Sequence, residues 1–483
     1  MGILSLFTSK KQSGFPALKL HNTLSGEVEP FEPLNETVKM YNCGPTVYEE
    51  QHIGNLRGPL LANTLKKTLE AWGYPVHHVS NITDVGHLTG DNAGDADRGE
   101  DRMEVSAKKH GASAQEIAET ITQLYFNDLD SLGIDRSKIE FPRASRYIAE
   151  QVALVKTLEE KGYAYIIDDG VYFDTSKFAA YGKLGAINLS GQKDGVRVGE
   201  NMQKKNAYDF ALWKFSPKGE QRQQEWKSPW GVGFPGWHTE CTAMIFTLLG
   251  KQIDIHLGGI DLVPIHHNNE IAQAEAATGK QFVRYWMHNA FITIEGKRLS
   301  KSQGNTIYLH QIIERGFSPM ALRYWYLTGH YRSPMNFTWE AIEGADTALK
   351  RLQRHFLELS STSAASMSSA SNFLNNFYTA IANDLDTPKA LALVWEHIKN
   401  LNRATLIEAD KILGLGLAEV KPPYKLAVLE QTDLPEDIQM LVKEREVARA
   451  GKDFTKADDL RGQIEALGYE IQDTPEGQKL SKK

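Results

Sequence analysis

Two cysteines, a histidine and a glutamate are the side chains in this sequence best suited to hold a soft metal ion. Cys43 lies in VKMYNCGPTVYEEQHIGN and Cys241 in FPGWHTEC, 198 positions later; downstream, PIHHNNEIAQ carries His266 and Glu270. At a separation of four, His266 and Glu270 share one side of a helix and can reach one ion together. Two thiolates, an imidazole and a carboxylate suit zinc best among the common metals. The cysteines have no C-x-x-C spacing, so spacing alone leaves a second reading open: two buried thiols and a surface His/Glu pair.

Two other stretches are suited to phosphates. His52-Ile53-Gly54 precedes a helical pattern, and the N–H groups of a helix N-terminus point outward toward anions. The run GKRLSKSQGN, Gly296 to Asn305, sets Lys301 between two hydroxyls in a glycine-flanked loop. Such a loop can hold a polyphosphate and then release it, and a solvated basic turn is the alternative. About 245 residues apart, the two signals together point to nucleotide activation of some substrate.

Elements that position these residues follow from periodicity. Thr37 to Tyr41 reads as a strand, Leu56 to Trp72 as a helix with Leu61, Leu65, Leu69 and Trp72 near helical spacing, and Val76 to Ile82 as a second strand. Strand, helix and strand in so short a span form a βαβ unit and predict a parallel α/β sheet. Ligands bind such sheets beyond the carboxyl ends of the strands, where Cys43 and His52 fall. From about Ser137 to Pro235 the pattern is irregular and rich in Gly, Lys and Gln, which reads as an insertion, and α/β character resumes at Ile253 to His256. Beyond Trp339 the chain reads as helical, with Ala345, Leu349, Leu352 and Phe356 on one face. Thr387-Pro388 suggests an N-cap and first helical residue. Ser360 to Ser369 reads as a connector, and Pro422-Pro423 and Pro435 as a boundary before a small terminal domain.

Bulk properties set limits. With 483 residues, 41% hydrophobic and 24% charged, the chain has the composition of a soluble globular protein of about three domains. No apolar run approaches a membrane span or a signal peptide, and two cysteines exclude a disulfide framework; a cytoplasmic protein that is no membrane protein is expected. The net charge of −7 does not advertise nucleic-acid binding, so such a partner would need a local basic face.

Taken jointly, CGPTVYEEQHIGN, NITDVGHLTGDNAGDADRGED, DFALWK, SPWGVGFPGWHTEC, HHNNEIAQ, RLSKSQGN, GHYRSPMNF and the terminal KDFTKADDLRGQIEALG resemble the cysteinyl-tRNA synthetases, a class I family, over nearly the whole chain. The resemblance implies a Rossmann-like parallel-sheet catalytic domain in halves 15–136 and 236–296. It places an insertion or connective-peptide domain at 137–235, a stem-contact region at 297–340, an α-helical bundle at 341–433 and an anticodon-binding domain at 434–483. One zinc per chain would be held by Cys43, Cys241, His266 and Glu270, and Gly44, Thr46, Thr83 and Trp237 would line the cysteine pocket. ATP, with Mg²⁺, would meet His52, Gly54, Asn55, Asp261, Arg298, Ser300 and Lys301, of which His52, Asn55 and Lys301 would be catalytic. Arg449, Phe454, Asp458 and Asp473 would read the anticodon of tRNA(Cys). L-cysteine, ATP and tRNA are the implied partners, and a monomer is expected.

The sequence departs from the family's pattern in two motifs. Asn55 stands where the HIGH motif has its second histidine, keeping a hydrogen-bond donor but not a charge. The KMSKS motif reads Arg298-Leu299-Ser300-Lys301-Ser302. Two rival readings follow: a related ligase that joins cysteine to an amino sugar, and a tRNA- or zinc-binding paralogue without catalysis.

Overall fold

The computed structural model describes residues 15–85, 88, 99–185, 203–217, 219, 222–298, 305–359, 367–421, 434–451, 453–474 and 477–482. The chain divides into two compact units, Met1–Leu417 and Ala418–Lys483.

Four strands form the sheet that carries the site: β1 (Val38–Asn42), β2 (Val76–Ser80), β3 (Ile253–Gly259) and β4 (Val283–Asn289). They lie in the order β4-β3-β1-β2 and every pairing is parallel. Met40 of β1 pairs with His78 of β2 on one side and Ile255 of β3 on the other. Buried residues alternate little along these strands, as expected of a parallel sheet covered on both faces. Helix α1 (Ile53–Ala71) makes the crossover that a parallel β1–β2 pair requires. It starts three residues before the periodicity indicates, because His52 caps it. The second strand stops at Ser80 rather than Ile82. Asn81 turns its side chain to the Gly44 N–H and the Thr83 hydroxyl, at 2.8 and 2.9 Å, and the ladder ends there. On the far side, α2 (Trp237–Leu248) and α3 (Asn268–Thr278) pack against β3 and β4.

Residues Ala164–Ile167, Gly170–Phe173, Phe210–Phe215, Gly231–Pro235 and Trp226–Ser228 make a five-stranded antiparallel sheet in that order, inside the stretch read as an insertion. After β4, Ile292–Ile294 and Lys297–Arg298 form a hairpin, with Met335–Phe337 added in parallel. Its turn uses Glu295 and Gly296 at φ 47° and 75°, a left-handed pair that glycine makes inexpensive at the second position.

Helices Trp339–Glu358, Met367–Ala382, Thr387–His397 and Arg403–Leu413 follow. Ala345, Leu349, Leu352 and Phe356 are buried on the first of them, on the face the spacing indicates. Asp386, not Thr387, caps the third: its carboxylate accepts from the Lys389 N–H at 3.1 Å, and Pro388 sits one place further in. Met367 to Ser369 of the expected connector are already helical, and 360–366 lie outside the described residues. In the second unit, helices Glu436–Ala450 and Phe454–Ala466 precede the antiparallel hairpin Tyr469–Thr474 and Gly477–Lys482. Ile438, Val442, Ile464, Ile471 and Leu480 are its core.

Candidate functional site

The carboxyl ends of β1 and β3 lie side by side, so the residues that follow them share one edge of the sheet. Cys43 is the first residue past β1, held there by its N–H to the Leu257 carbonyl at 3.0 Å. Cys241 comes from the first two turns of α2. His266 lies in the π-helical turn Val263–His267 that leads into α3, and Glu270 in the first turn of α3. One extra residue in such a turn lets both His266 and His267 face inward, a device common at functional sites.

Donor atoms of Cys43, Cys241, His266 and Glu270 all lie within 4.8 Å of one another. A tetrahedral zinc with bonds of about 2.0–2.3 Å would set its donors about 3.3–3.8 Å apart, so this set fits the ion with small adjustments. Each of three donors is also backed by a further histidine. Nδ1 of His266 is 2.9 Å from Nδ1 of His238, Oε2 of Glu270 is 2.9 Å from Nε2 of His256, and the Cys43 sulfur is 3.4 Å from Nε2 of His267. Such outer partners fix ring orientation and ligand basicity.

The electrostatics are those of a pocket built for a cation. Burial opposes the ionisation of Glu270, but His256 and His266 more than offset it and hold its carboxyl at about 2. Burial likewise opposes a charge on His266, yet Glu270 beside it, with the Cys241 contact, lifts that imidazole to about 10. The Cys43 thiol donates to Cys241 and draws the latter down to about 6 against burial, while burial itself drives Cys43 well up. A bound metal would replace the His266 proton as the compensating charge.

Around this set, Trp237 stacks on His266 with centroids 4.1 Å apart. Gly44 approaches the Asn81 backbone so closely that a Cβ would lie 1.6 Å from its carbonyl oxygen. Thr46 and Thr83 pair in a parallel bridge two residues further on. The four residues expected to line a cysteine pocket thus all adjoin the Cys43 edge.

His52 and Asn55 open α1 from the other end of the β1 loop. Nδ1 of His52 accepts from the Asn55 N–H at 3.2 Å, and the Ile53 N–H goes to the Ile307 carbonyl at 2.9 Å. Two first-turn donors are therefore already engaged, contrary to the cradle of outward N–H groups expected from sequence. With Nδ1 accepting, a neutral His52 ring carries its proton on Nε2. Pro59 has no N–H for the Asn55 carbonyl one turn back, and Gly54 lies between His52 and Asn55. Asp261 sits in the turn Ile260–Leu262 just past β3, exposed, and its carboxylate folds back to where a Cβ on Gly259 would be, 2.3 Å away. Arg298 ends the hairpin, while Ser300 and Lys301 lie outside the described residues. Both flanks of that run are anchored: Arg298 pairs with Thr293, and Tyr308 bridges to His52.

Arg57 ties these parts together. It projects from α1 and donates to the carbonyls of Ala290, Phe291, His330 and Ser333 at 2.7, 3.3, 3.0 and 2.8 Å. The helix bearing His52 and Asn55 is thereby locked to the base of the hairpin bearing Arg298.

In the second unit, Asp473 takes two hydrogen bonds from the buried Arg445, at 2.9 and 3.0 Å, and pairs with Arg449 at 2.8 Å. Phe454 is 60% exposed at the start of its helix, and Asp458 is exposed one turn on.

Sequence reasoning does not single out His238, His256, His267 or His288, nor Arg57. Five of the chain's 15 histidines, His266 included, gather in this one cluster. A histidine in the middle of a strand otherwise buried on both faces, as His256 is in IDIHLGG, is the signal that could have found it.

Residues 30–347 match the family model described as tRNA synthetases class I (C) catalytic domain, and residues 431–479 match the cysteinyl-tRNA ligase anticodon binding domain. The chain is 45% identical over 470 residues to cysteine–tRNA ligase 1 of Burkholderia lata, covering 96% of each. It is 40% identical over 491 residues to the cysteine–tRNA ligase of Treponema denticola, covering 95% of this chain and 98% of that one. Among solved structures it resembles Mycobacterium tuberculosis methionyl-tRNA synthetase bound by methionyl-adenylate, with TM-score 0.52, 13% identity and coverage of 78% and 88%. It also resembles a LeuRS from Agrobacterium radiobacter K84, with TM-score 0.56, 11% identity and coverage of 80% and 84%. The two structural likenesses establish the class I fold.

Proposed function

The chain belongs to the cysteinyl-tRNA synthetase family of class I, and from that premise we propose that it selects cysteine by a zinc–thiolate contact at Cys43, Cys241, His266 and Glu270. As a cysteine–tRNA ligase it works on an amino acid, ATP and tRNA. The observation that carries the finer reading is the gathering of those four donors within 4.8 Å, beside Trp237 and at the sheet edge shared with the α1 N-terminus. When bound, zinc would supply a soft Lewis-acid position that takes a thiolate readily and serine's hydroxyl poorly. A site that rewards one specific bond can reject the analogue lacking it by about 10⁴ or more.

Around that position the chain's own residues align the substrates. Gly44, Thr46, Thr83 and Trp237 enclose the amino acid. Its carboxylate oxygen attacks the α-phosphorus of ATP, the bond to the bridging oxygen breaks, and pyrophosphate leaves with the electron pair. His52, donating from Nε2, with Asn55, Gly54, Arg298, Ser300 and Lys301, stabilises charge on the phosphates, together with Mg²⁺. Asp261 holds the nucleoside end. A 3′-terminal ribose hydroxyl of tRNA(Cys) then attacks the acyl carbon, and AMP departs. Arg449, fixed by Asp473, with Phe454 as a stacking face and Asp458 nearby, reads the anticodon; stacking of one base contributes ~1–3 kcal/mol. A monomer in the cytoplasm is the expected form; no helix among the described residues is long and apolar enough to cross a membrane.

The anticodon-domain match over 431–479 argues against the amino-sugar ligase alternative. Cysteine-dependent ATP–pyrophosphate exchange followed by charging of tRNA(Cys) tests the rest. Both should proceed; exchange without charging would favour the amino-sugar ligase, and no exchange would favour a paralogue without catalysis.

A further inference from the structure

Glu270 stands between two histidines: Oε1 is 2.8 Å from Nε2 of His266, and Oε2 is 2.9 Å from Nε2 of His256. The Cys43 sulfur also faces two ways, 4.0 Å from Oε1 of Glu270 and 3.4 Å from Nε2 of His267. As a result Cys43, His256, His267 and Glu270 form a second four-donor set within 4.8 Å, sharing two members with the first. We propose that this second set is an alternative metal position, able to hold the ion when Cys241 is removed. The proposal rests on the reading of the first set as a metal centre.

Its chemistry suits the same ion: one thiolate, two imidazoles and a carboxylate are ordinary zinc donors. Its histidines are already oriented. Nδ1 of His267 is 2.8 Å from Nε2 of His288, whose Nδ1 is 2.8 Å from Oγ1 of Thr23, so the His267 ring is fixed with Nε2 toward Cys43. His256 is clamped between Trp286, stacked at 4.5 Å, and Tyr41 at 5.2 Å. The 3.4 Å Cys43–His267 separation already falls within the tetrahedral edge of about 3.3–3.8 Å, while the 4.0 Å Cys43–Glu270 separation must close and the 2.9 Å Glu270–His256 contact must open, each by a few tenths of an ångström. Because Cys43 and Glu270 belong to both sets, one ion at a time is the limit.

The two cysteines are therefore not equivalent. Cys43 is common to both positions, whereas Cys241 serves the first alone. Metal analysis and cobalt(II) titration of the purified full chain should give about one ion per chain for the unaltered protein and none for Cys43→Ser. Cys241→Ser should keep about one, with the thiolate-to-cobalt absorption roughly halved. The double variant Cys241→Ser/His267→Asn should lose it, and Cys241→Ser/His266→Asn should not. A Cys241→Ser protein as metal-free as Cys43→Ser would overturn the proposal, as would retention in the His267 double variant. Should circular dichroism show that Cys241→Ser does not fold, Cys241→Ala gives the same readout. An unaltered chain that binds no metal would instead overturn the reading beneath it.

Discussion

Substituting Gly44 by alanine tests the pocket geometry with one methyl group. The added Cβ would lie 1.6 Å from the Asn81 carbonyl oxygen and 2.7 Å from its carbon, where real contacts stay beyond 3.0 Å. The obstacle is backbone, so no rotamer change relieves it, and the two strand ends must separate by about 1.4 Å. That movement cannot stay local. Thr83 N–H donates to the Pro45 carbonyl at 3.0 Å and Val47 N–H to the Thr83 carbonyl at 3.1 Å, so Thr46 and Thr83 are displaced with the turn. The overpacking itself should destabilise by about 1–3 kcal/mol, and a misplacement near 1 Å in a reacting pair costs ~10²-fold in rate. Cysteine-dependent pyrophosphate exchange should fall by about that factor in Gly44→Ala, mainly in kcat/KM for cysteine. Gly344→Ala is the matched control: its Cβ meets nothing within 4 Å on an exposed helix face, and it should leave exchange unchanged while stabilising by about 0.5–1 kcal/mol. Gly44→Ala activity within threefold of the unaltered enzyme, with the same melting temperature, would refute the reasoning.

Other consequences follow from the same structure. Arg57→Lys leaves one ammonium facing four carbonyls, and losing at least one charge-assisted bond should destabilise by about 2–3 kcal/mol and raise KM for ATP; an unchanged urea midpoint and unchanged KM would remove Arg57 as the link between the nucleotide motifs. Asp386→Ala should lower stability by about 1 kcal/mol through the lost cap without changing exchange, and a loss of activity there would show that the helix does more than pack. Burial, then the nearby Lys66, pull buried His78 down to about 3 from an ordinary 6.5. Between those values the unfolded chain binds the proton and the folded one does not, so stability is full above pH 6.5 and falls as pH drops. The contribution should reach about 2 kcal/mol by pH 5, read as the difference in acid slope between the unaltered chain and His78→Gln; equal slopes would contradict it.

Much of this site is legible in the sequence because its parts are local patterns. The βαβ unit is visible in the spacing of Val38, Leu61, Leu65, Leu69 and Val79, and the metal donors are rare residue types. What escapes is whatever depends on distant chain segments meeting. His256, His267 and His288 look like unrelated histidines until β3 and β4 pair in register, which sets His256 opposite Trp286. Arg57 reads as one more polar residue on α1, since its four acceptors are backbone carbonyls, and every residue has one. Element ends fail for a related reason: Asn81 and Asp386 end or begin elements through side-chain bonds that hydrophobic periodicity does not register.

The central claim is that this cluster recognises a thiol by direct bonding. Cobalt-substituted enzyme examined in the visible region while L-cysteine or L-serine is added tests that most directly. Cysteine should strengthen the thiolate-to-cobalt absorption by about one thiolate's worth, and serine should leave the spectrum as it was. A spectrum indifferent to cysteine, in protein that still activates it, would contradict the account.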